Sequence, residues 1–304
     1  MADHTNNRLK MLPRDKAIYS NCRVLDINGD LLFRAGHRRL EWYLSRNLAH
    51  RIDDNTIQLN FVNKGHGRKN EPFYLQDMQN NCTICGTTGS LTMHHVVPSQ
   101  YRTFMEESIK SRSSHDLLPV CTICHDRYER HAVKFKKHLA QCFKAPLDGV
   151  GWIERKDIGK GGRAAATLIS PSLANIPAER VSQLQSIVDQ VVSQNIPLFS
   201  DEIQLTISQC QDNGKRLCDE QSILNELISM QVRIRGPEFR THGEIVVDSV
   251  ASRSASDSTC EECKKLAAGG VPALISAWRR HFVDNAQPAY LPDHWSVTYP
   301  CLQP

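Results

Sequence analysis

Residues 81–102, N-C-T-I-C-G-T-T-G-S-L-T-M-H-H-V-V-P-S-Q-Y-R, and residues 113–131, S-S-H-D-L-L-P-V-C-T-I-C-H-D-R-Y-E-R-H, decide how the rest of the chain is read. Cys82 and Cys85 form one Cys-x-x-Cys pair, and Cys121 and Cys124 form another. Two such pairs supply the four soft thiolates that a structural zinc takes in a tetrahedral site. Between the pairs stands His94-His95-Val96-Val97-Pro98, and His125 directly follows the second. Consecutive side chains on a strand point to opposite sides, and Pro98 suits an irregular loop, where the strand bends, after the two histidines. A redox role for the Cys-x-x-Cys pairs fits the intervening His-His motif less well than zinc does.

The order Cys-x-x-Cys, His-His-Val-x-Pro, a Leu-Leu-x-Val run, and Cys-x-x-Cys-His resembles the HNH nuclease family. The resemblance implies a two-stranded ribbon and a helix around a catalytic divalent ion, Mg2+ or Mn2+, with the cysteine-bound Zn2+ as a brace. It implies His94 and His125 as ligands of that ion and His95 as the base that activates water. Hydrolysis of a phosphodiester needs both parts, a proton acceptor and a cation facing the developing charge. The family's usual Asn, five places before the third cysteine, is replaced here by Asp116, expected to orient the base loop. An ionised Asp accepts the same hydrogen bonds but cannot donate. Glu129, one helical turn beyond His125, is a further candidate ligand. The alternative is a non-catalytic zinc module that binds nucleic acid or protein.

Outward from this module, the chain of 304 residues is long enough for one large or two modest domains, and its composition is neither disordered nor fibrous. The net charge is +4 overall, and the basic excess lies around the cysteine pairs, within residues 64–163. The expected helix over residues 128–143 carries Lys134, Lys136 and Lys137 on a basic face suited to a phosphate backbone, with Val133, Leu139 and Phe143 packing inward. A polar N-terminus and the lack of a long apolar run predict an intracellular protein, nuclear or cytoplasmic, with no membrane segment. In such a reducing compartment the eleven cysteines are read as thiols and zinc ligands rather than disulfides.

The expected class is α+β. Residues 1–16 read as a flexible lead-in and 17–75 as a β-β-α-β unit, with Asn28-Gly29 turning the first hairpin. Residues 76–145 form the zinc module and 146–248 a helical region, where Lys160-Gly-Gly-Arg163 reads as a turn opening a helix. Residues 249–304 read as a linker and a C-terminal helix, whose Trp- and Pro-rich tail pins onto a core, the alternatives being a partner-docking surface or a Trp stacked on a base. Cys260-Glu-Glu-Cys263 is a third Cys-x-x-Cys that cannot close a tetrahedral site alone; Cys210, Cys218 or Cys301, with His242 or His281, are the candidates to complete a second zinc.

Tyr19-Ser-Asn-Cys-Arg-Val-Leu-Asp26, Arg39-Leu-Glu-Trp-Tyr-Leu44, Ser114-His-Asp-Leu-Leu118 and Gly161-Gly-Arg-Ala-Ala-Ala166 carry a second likeness. Together they resemble the C-terminal region of the exonuclease 3'-5' domain-containing 2 proteins, over residues 17–192 and again near Trp278-Arg-Arg-His-Phe282. The resemblance implies a role near nucleic acid, in genome maintenance or RNA processing. The family's acidic exonuclease domain has no place in the sixteen residues before the match, so its activity is not expected here.

Overall fold

The computed structural model describes residues 13–300 apart from 15, 66, 67, 70, 111, 112 and 254–259. Most of the expected lead-in, the 254–259 part of the expected linker, and Cys301 lie outside the described residues. The chain forms two compact units, one from residues 1–148 and 241–304 and the other from 149–240. The class is α+β, with a four-stranded N-terminal sheet and a mostly helical C-terminal half.

In the first unit, β1 (Cys22–Leu25) and β2 (Leu31–Ala35) pair as an antiparallel hairpin. Gly29 turns it at φ +88°, and the Asp26 carboxylate accepts the Asn28 and Asp30 N–H groups at 2.9 Å each. Helix α1 (His37–Leu44) buries Leu40 against the sheet. The chain then makes a second hairpin, β3 (Ala49–Asp53) with β4 (Thr56–Leu59), and β4 pairs in parallel with β1. The expected β-β-α-β unit is therefore β-β-α-β-β, in sheet order β2-β1-β4-β3. Strand β3 lies on the sheet edge and buries only Ala49, so its sequence carries no alternating apolar face.

After the short helix α2 (Pro72–Leu75) comes an antiparallel ribbon of β5 (Leu91–His95) and β6 (Leu117–Cys121), in register from Leu91 opposite Cys121 to His95 opposite Leu117. The turns α3 (Ser99–Arg102) and α4 (Glu107–Lys110) lie in its connection, and α5 (Thr122–Cys142) leaves directly from β6. Helix α5 starts six residues earlier than the sequence pattern suggests, placing Cys124 and His125 in its first turn. It buries Tyr128, Ala132, Leu139 and Cys142, whereas Val133, expected inside, is 42% exposed.

The second unit pairs β7 (Val150–Glu154) with β8 (Arg233–Arg240) and contains α6 (Lys156–Leu168), α7 (Ala178–Gln194), α8 (Asp201–Asp212) and α9 (Gln221–Ser229). Its core includes Ile158, Val188, Ile207, Ile223 and Leu227. The glycines expected to form a turn lie inside α6 instead. A Cβ on Gly161 would sit 2.8 Å from Val191, and one on Gly162 would sit 3.3 Å from the Leu227 carbonyl, so these glycines let three helices approach closely.

The first unit resumes with α10 (His242–Ala251) and α11 (Glu261–Ala286), the latter kinked where Gly270 takes φ +67°. Helix α10 extends into the stretch expected as linker. Its N-terminus is closed by a capping box between Thr241 and Glu244. Trp278 and Phe282 are fully buried and Trp295 nearly so, in one core with Leu118, Tyr128 and Leu139. The aromatic tail is pinned as its composition suggests. Among the described residues no helix is long and apolar enough to cross a membrane.

Candidate metal centre

The two knuckles meet because one closes a turn and the other joins a strand to a helix. At the first, Gly86 donates its N–H to the Cys82 carbonyl at 2.8 Å, and Cys82 donates to Thr87 at 2.7 Å. Gly86 has φ +78°, and a Cβ there would lie 2.7 Å from the Tyr290 ring, so only glycine fits. At the second, Cys121 ends β6 and Cys124 stands in the first turn of α5. The ligand atoms of Cys82, Cys85, Cys121 and Cys124 all lie within 4.8 Å of one another. Cys85 Sγ and Cys121 Sγ are 3.8 Å apart, matching the edge, about 3.8 Å, of a tetrahedron with 2.3 Å zinc–sulfur arms. Burial pushes the Cys121 and Cys124 thiols up, a cost that a divalent cation among the sulfurs removes. The donor set fits zinc.

On the other side of the ribbon a different group forms. His94, on β5, and His125, on α5, bring Nδ1 and Nε2 to 2.9 Å. Glu129 Oε1 lies 3.9 Å from the first nitrogen and 3.8 Å from the second. These three side chains constitute a second group able to hold a metal ion. Neighbouring ligands of an octahedral ion with arms of about 2.1 Å stand about 3 Å apart, so the two nitrogens are already spaced for one. Lys136 Nζ is 3.6 Å from Glu129 Oε2, leaving Oε1 turned toward the imidazoles.

The tautomer of His125 is fixed by Thr92, a residue the sequence reading passed over. The Thr92 hydroxyl spends its proton on the Val120 carbonyl at 2.8 Å and meets His125 Nδ1 at 2.8 Å. It can therefore only accept there, so Nδ1 carries the hydrogen and Nε2 presents its lone pair toward His94 and Glu129. The available signal was position: Thr92 precedes His94 by two residues and shares its face of β5. Burial holds His94 well below the usual histidine range, and the His125, His95 and Lys136 charges add to the effect. Burial likewise lowers His125. Both imidazoles stay neutral, the form that binds metals.

His95 points away from this cluster. It is half-buried, and the Arg102 guanidinium donates to its Nδ1. Arginine has no acceptor, so Nδ1 must be the bare nitrogen. Burial, then Arg102, then His125 hold His95 below its ordinary range. Arg102 is the second residue that the sequence reading did not select; it stands seven positions beyond His95, on α3.

Asp116 does not reach the base loop through its carboxylate. That group is buried and pairs with Arg279 of α11, at 2.6 Å to Nε and 2.9 Å to Nη2. Arg279 also donates to the Tyr299 carbonyl at 2.6 Å. The Asp116 main chain does hold the loop, since its carbonyl accepts the Val96 N–H at 2.8 Å. The expectation of side-chain orientation is corrected because a buried carboxylate needs a cation, and Arg279 supplies it. Neighbouring His115 is fully buried and stacks between Trp295 and Tyr299.

Of the three lysines expected on a basic face, Lys134 and Lys137 are exposed on α5, while Lys136 leans into Glu129. Among the described residues, the candidates expected to complete a site with Cys260 and Cys263 have other partners. His242 bonds the Ala145 carbonyl and the Tyr101 hydroxyl, and His281 bonds the Tyr128 hydroxyl. Cys210 and Cys218 are buried in the core of the 149–240 unit.

The chain is similar to exonuclease 3'-5' domain-containing protein 2 of Homo sapiens and of Drosophila melanogaster, at 26% identity to each. The alignments cover 94% of this chain but 41% and 44% of those proteins, so the chain spans less than half the length of these relatives. It is also 37% identical over 133 residues to protein RRP6-like 3 of Arabidopsis thaliana, covering 43% of this chain and 15% of that one. No family model and no solved structure matches.

Proposed function

We propose that β5, β6 and α5 form a zinc-braced, HNH-type nuclease centre that hydrolyses phosphodiester bonds of nucleic acid with a divalent metal. The observation that carries the reading is the meeting of His94, His125 and Glu129 apart from the four cysteine sulfurs. The relatives are named for a 3'-5' exonuclease domain, and nucleic acid is the substrate class proposed here as well.

Cys82, Cys85, Cys121 and Cys124 would hold zinc, which would tie the end of β6 and the start of α5 to the first knuckle and so set where His125 and Glu129 point. Mg2+ or Mn2+ held by His94, His125 and Glu129 would supply Lewis-acid stabilisation of charge on the phosphate and on the leaving oxygen. His95 takes the proton of the attacking water at Nδ1, the nitrogen that Arg102 keeps bare. Before this, Arg102 turns to the scissile phosphate, where a guanidinium is matched to two oxygens, and leaves the Nδ1 lone pair to the water. Lys134 and Lys137 meet the flanking backbone.

The test compares cleavage of single-stranded, duplex and branched DNA and of RNA, with and without Mg2+ or Mn2+, by wild type and His95→Ala from identical preparations. Loss of a general base is expected to cost about 10²–10⁴-fold in rate, with zinc content and affinity unchanged. Cys82→Ser should instead lower zinc content, stability, binding and cleavage together. Equal cleavage by wild type and His95→Ala, or a folded, zinc-loaded wild type that cuts none of the substrates, would overturn the reading in favour of a binding module.

A further inference from the structure

At the far end of α5 the chain repeats the logic of its cysteine knuckles with partners that no spacing rule joins. His138 and Cys142 stand one turn apart near the C-terminus of α5, and Cys260 and Cys263 flank the first turn of α11. The ligand atoms of all four lie within 4.8 Å of one another. His138 Nε2 is 3.5 Å from Cys142 Sγ. Cys142 and Cys263 are joined by a disulfide that spans 121 residues of sequence. That bond departs from the expectation of thiols throughout, and it engages only two members of the group.

We infer that in the reduced protein His138, Cys142, Cys260 and Cys263 bind a second structural zinc ion. Three thiolates and one imidazole, in the order His-x3-Cys and Cys-x2-Cys, are a complete tetrahedral set for this ion. The start of α11 favours the negative charge of thiolates there, because its first N–H groups carry the positive end of the helix dipole. Reduction is balanced by a thiol reductant: two reductant thiols pass two electrons to the Cys142–Cys263 bond and become a disulfide. Two cysteine thiols are released, and they lose their protons to solvent on meeting the metal. The zinc staples the N-terminus of α11 to the end of α5. That matters for the centre, since Arg279 farther along α11 holds Asp116.

The experiment uses the full chain purified in thiol reductant, with zinc measured by elemental analysis and the state of each cysteine by mass spectrometry after alkylation. Two zinc ions per chain are expected for wild type and one for Cys260→Ser and for His138→Ala, neither of which removes a disulfide partner. Exchange of zinc for Co2+ adds a second readout. Wild type should show overlapping thiolate-to-cobalt spectra of a four-sulfur and a three-sulfur site, and Cys260→Ser should keep only the four-sulfur component. One zinc in reduced wild type, unchanged by Cys260→Ser, would overturn the inference, as would a second zinc retained at full occupancy in both variants.

Discussion

Replacing Arg279 by Met removes the guanidinium that pairs with Asp116 while nearly preserving the volume of the site. The pair is among the most enclosed in the protein, with side chains 2% and 6% exposed and two hydrogen bonds of 2.6 and 2.9 Å. Breaking such a pair on one side leaves a buried charge uncompensated and costs about 3–5 kcal/mol. For a unit of this size, about 2–4 °C of melting temperature goes with each kcal/mol, so a fall of roughly 10 °C is expected. Thermal and urea unfolding of wild type, Arg279→Met, Asp116→Leu and the double variant measure it. The double variant should recover much of the loss, because no charge remains to be stranded. The pH course follows from the same pair. Burial raises the Asp116 carboxyl, but His115 and Arg279 outweigh it and hold it below the usual range. Its contribution is therefore full above the ordinary aspartate value of about 3.9 and is lost as the pH falls through the lower folded value. An Arg279→Met protein within about 1 kcal/mol of wild type, well under the cost of a stranded buried charge, would refute the reasoning, and so would a double variant no more stable than that single one.

Thr92→Val keeps the shape but removes the oxygen that orients His125, so affinity for Mn2+ should fall about 10–100-fold; titration calorimetry reads this, and an unchanged affinity would mean that the ring is held by packing alone. Lys134→Glu with Lys137→Glu should flatten the dependence of nucleic-acid binding on salt, measured by fluorescence anisotropy, since fewer counterions are released; an unchanged slope would make that face mere solvated surface. His94 and His125 are held below their ordinary range by burial, against about 6.5 when unfolded. Stability should therefore be full above that value and decline as the pH drops toward the folded values. Urea midpoints at pH 7.5 and 5 compare the two regimes, and a His94→Gln protein with an equally steep decline would remove His94 from the account.

The cysteine pairs, and His125 with Glu129, were legible because each is local: a spacing of two, a turn of helix. Glu129 could be placed beside His125 from helical geometry alone. What escaped is either exposed or distant. Strand β3 shows solvent four of its five residues, so no alternating pattern announces it. Strands β7 and β8 carry glycines and a proline, residues that read as loop, yet the two pair over Trp152, on which Arg233 lies at 4.4 Å. The cation for Asp116 stands 163 positions away, and nothing local marks Arg279 as its partner rather than the adjacent Arg280. Likewise Cys260 and Cys263 look incomplete until folding brings α5 to them. The glycines of α6 misled for a different reason, since in a tight helical core the same absence of a side chain serves contact rather than bending.

The division of the first unit into two stretches of chain also sets a schedule. Residues 149–240 have a core of their own, and Val150 pairs with Arg240, so the intervening unit returns the chain to near where it left. A ribosome that has just made Asp116 must add 163 more residues before Arg279 exists. At 5–20 residues per second that is about 10–30 s. During this interval the His94–His125–Glu129 cluster can begin to assemble on a ribbon whose buried carboxylate has no cation, and the aromatic lid over His115 has not been synthesised. The proposed hydrolytic centre would stay loosely formed on the nascent chain, close to ribosomal RNA, and harden only once α11 has emerged.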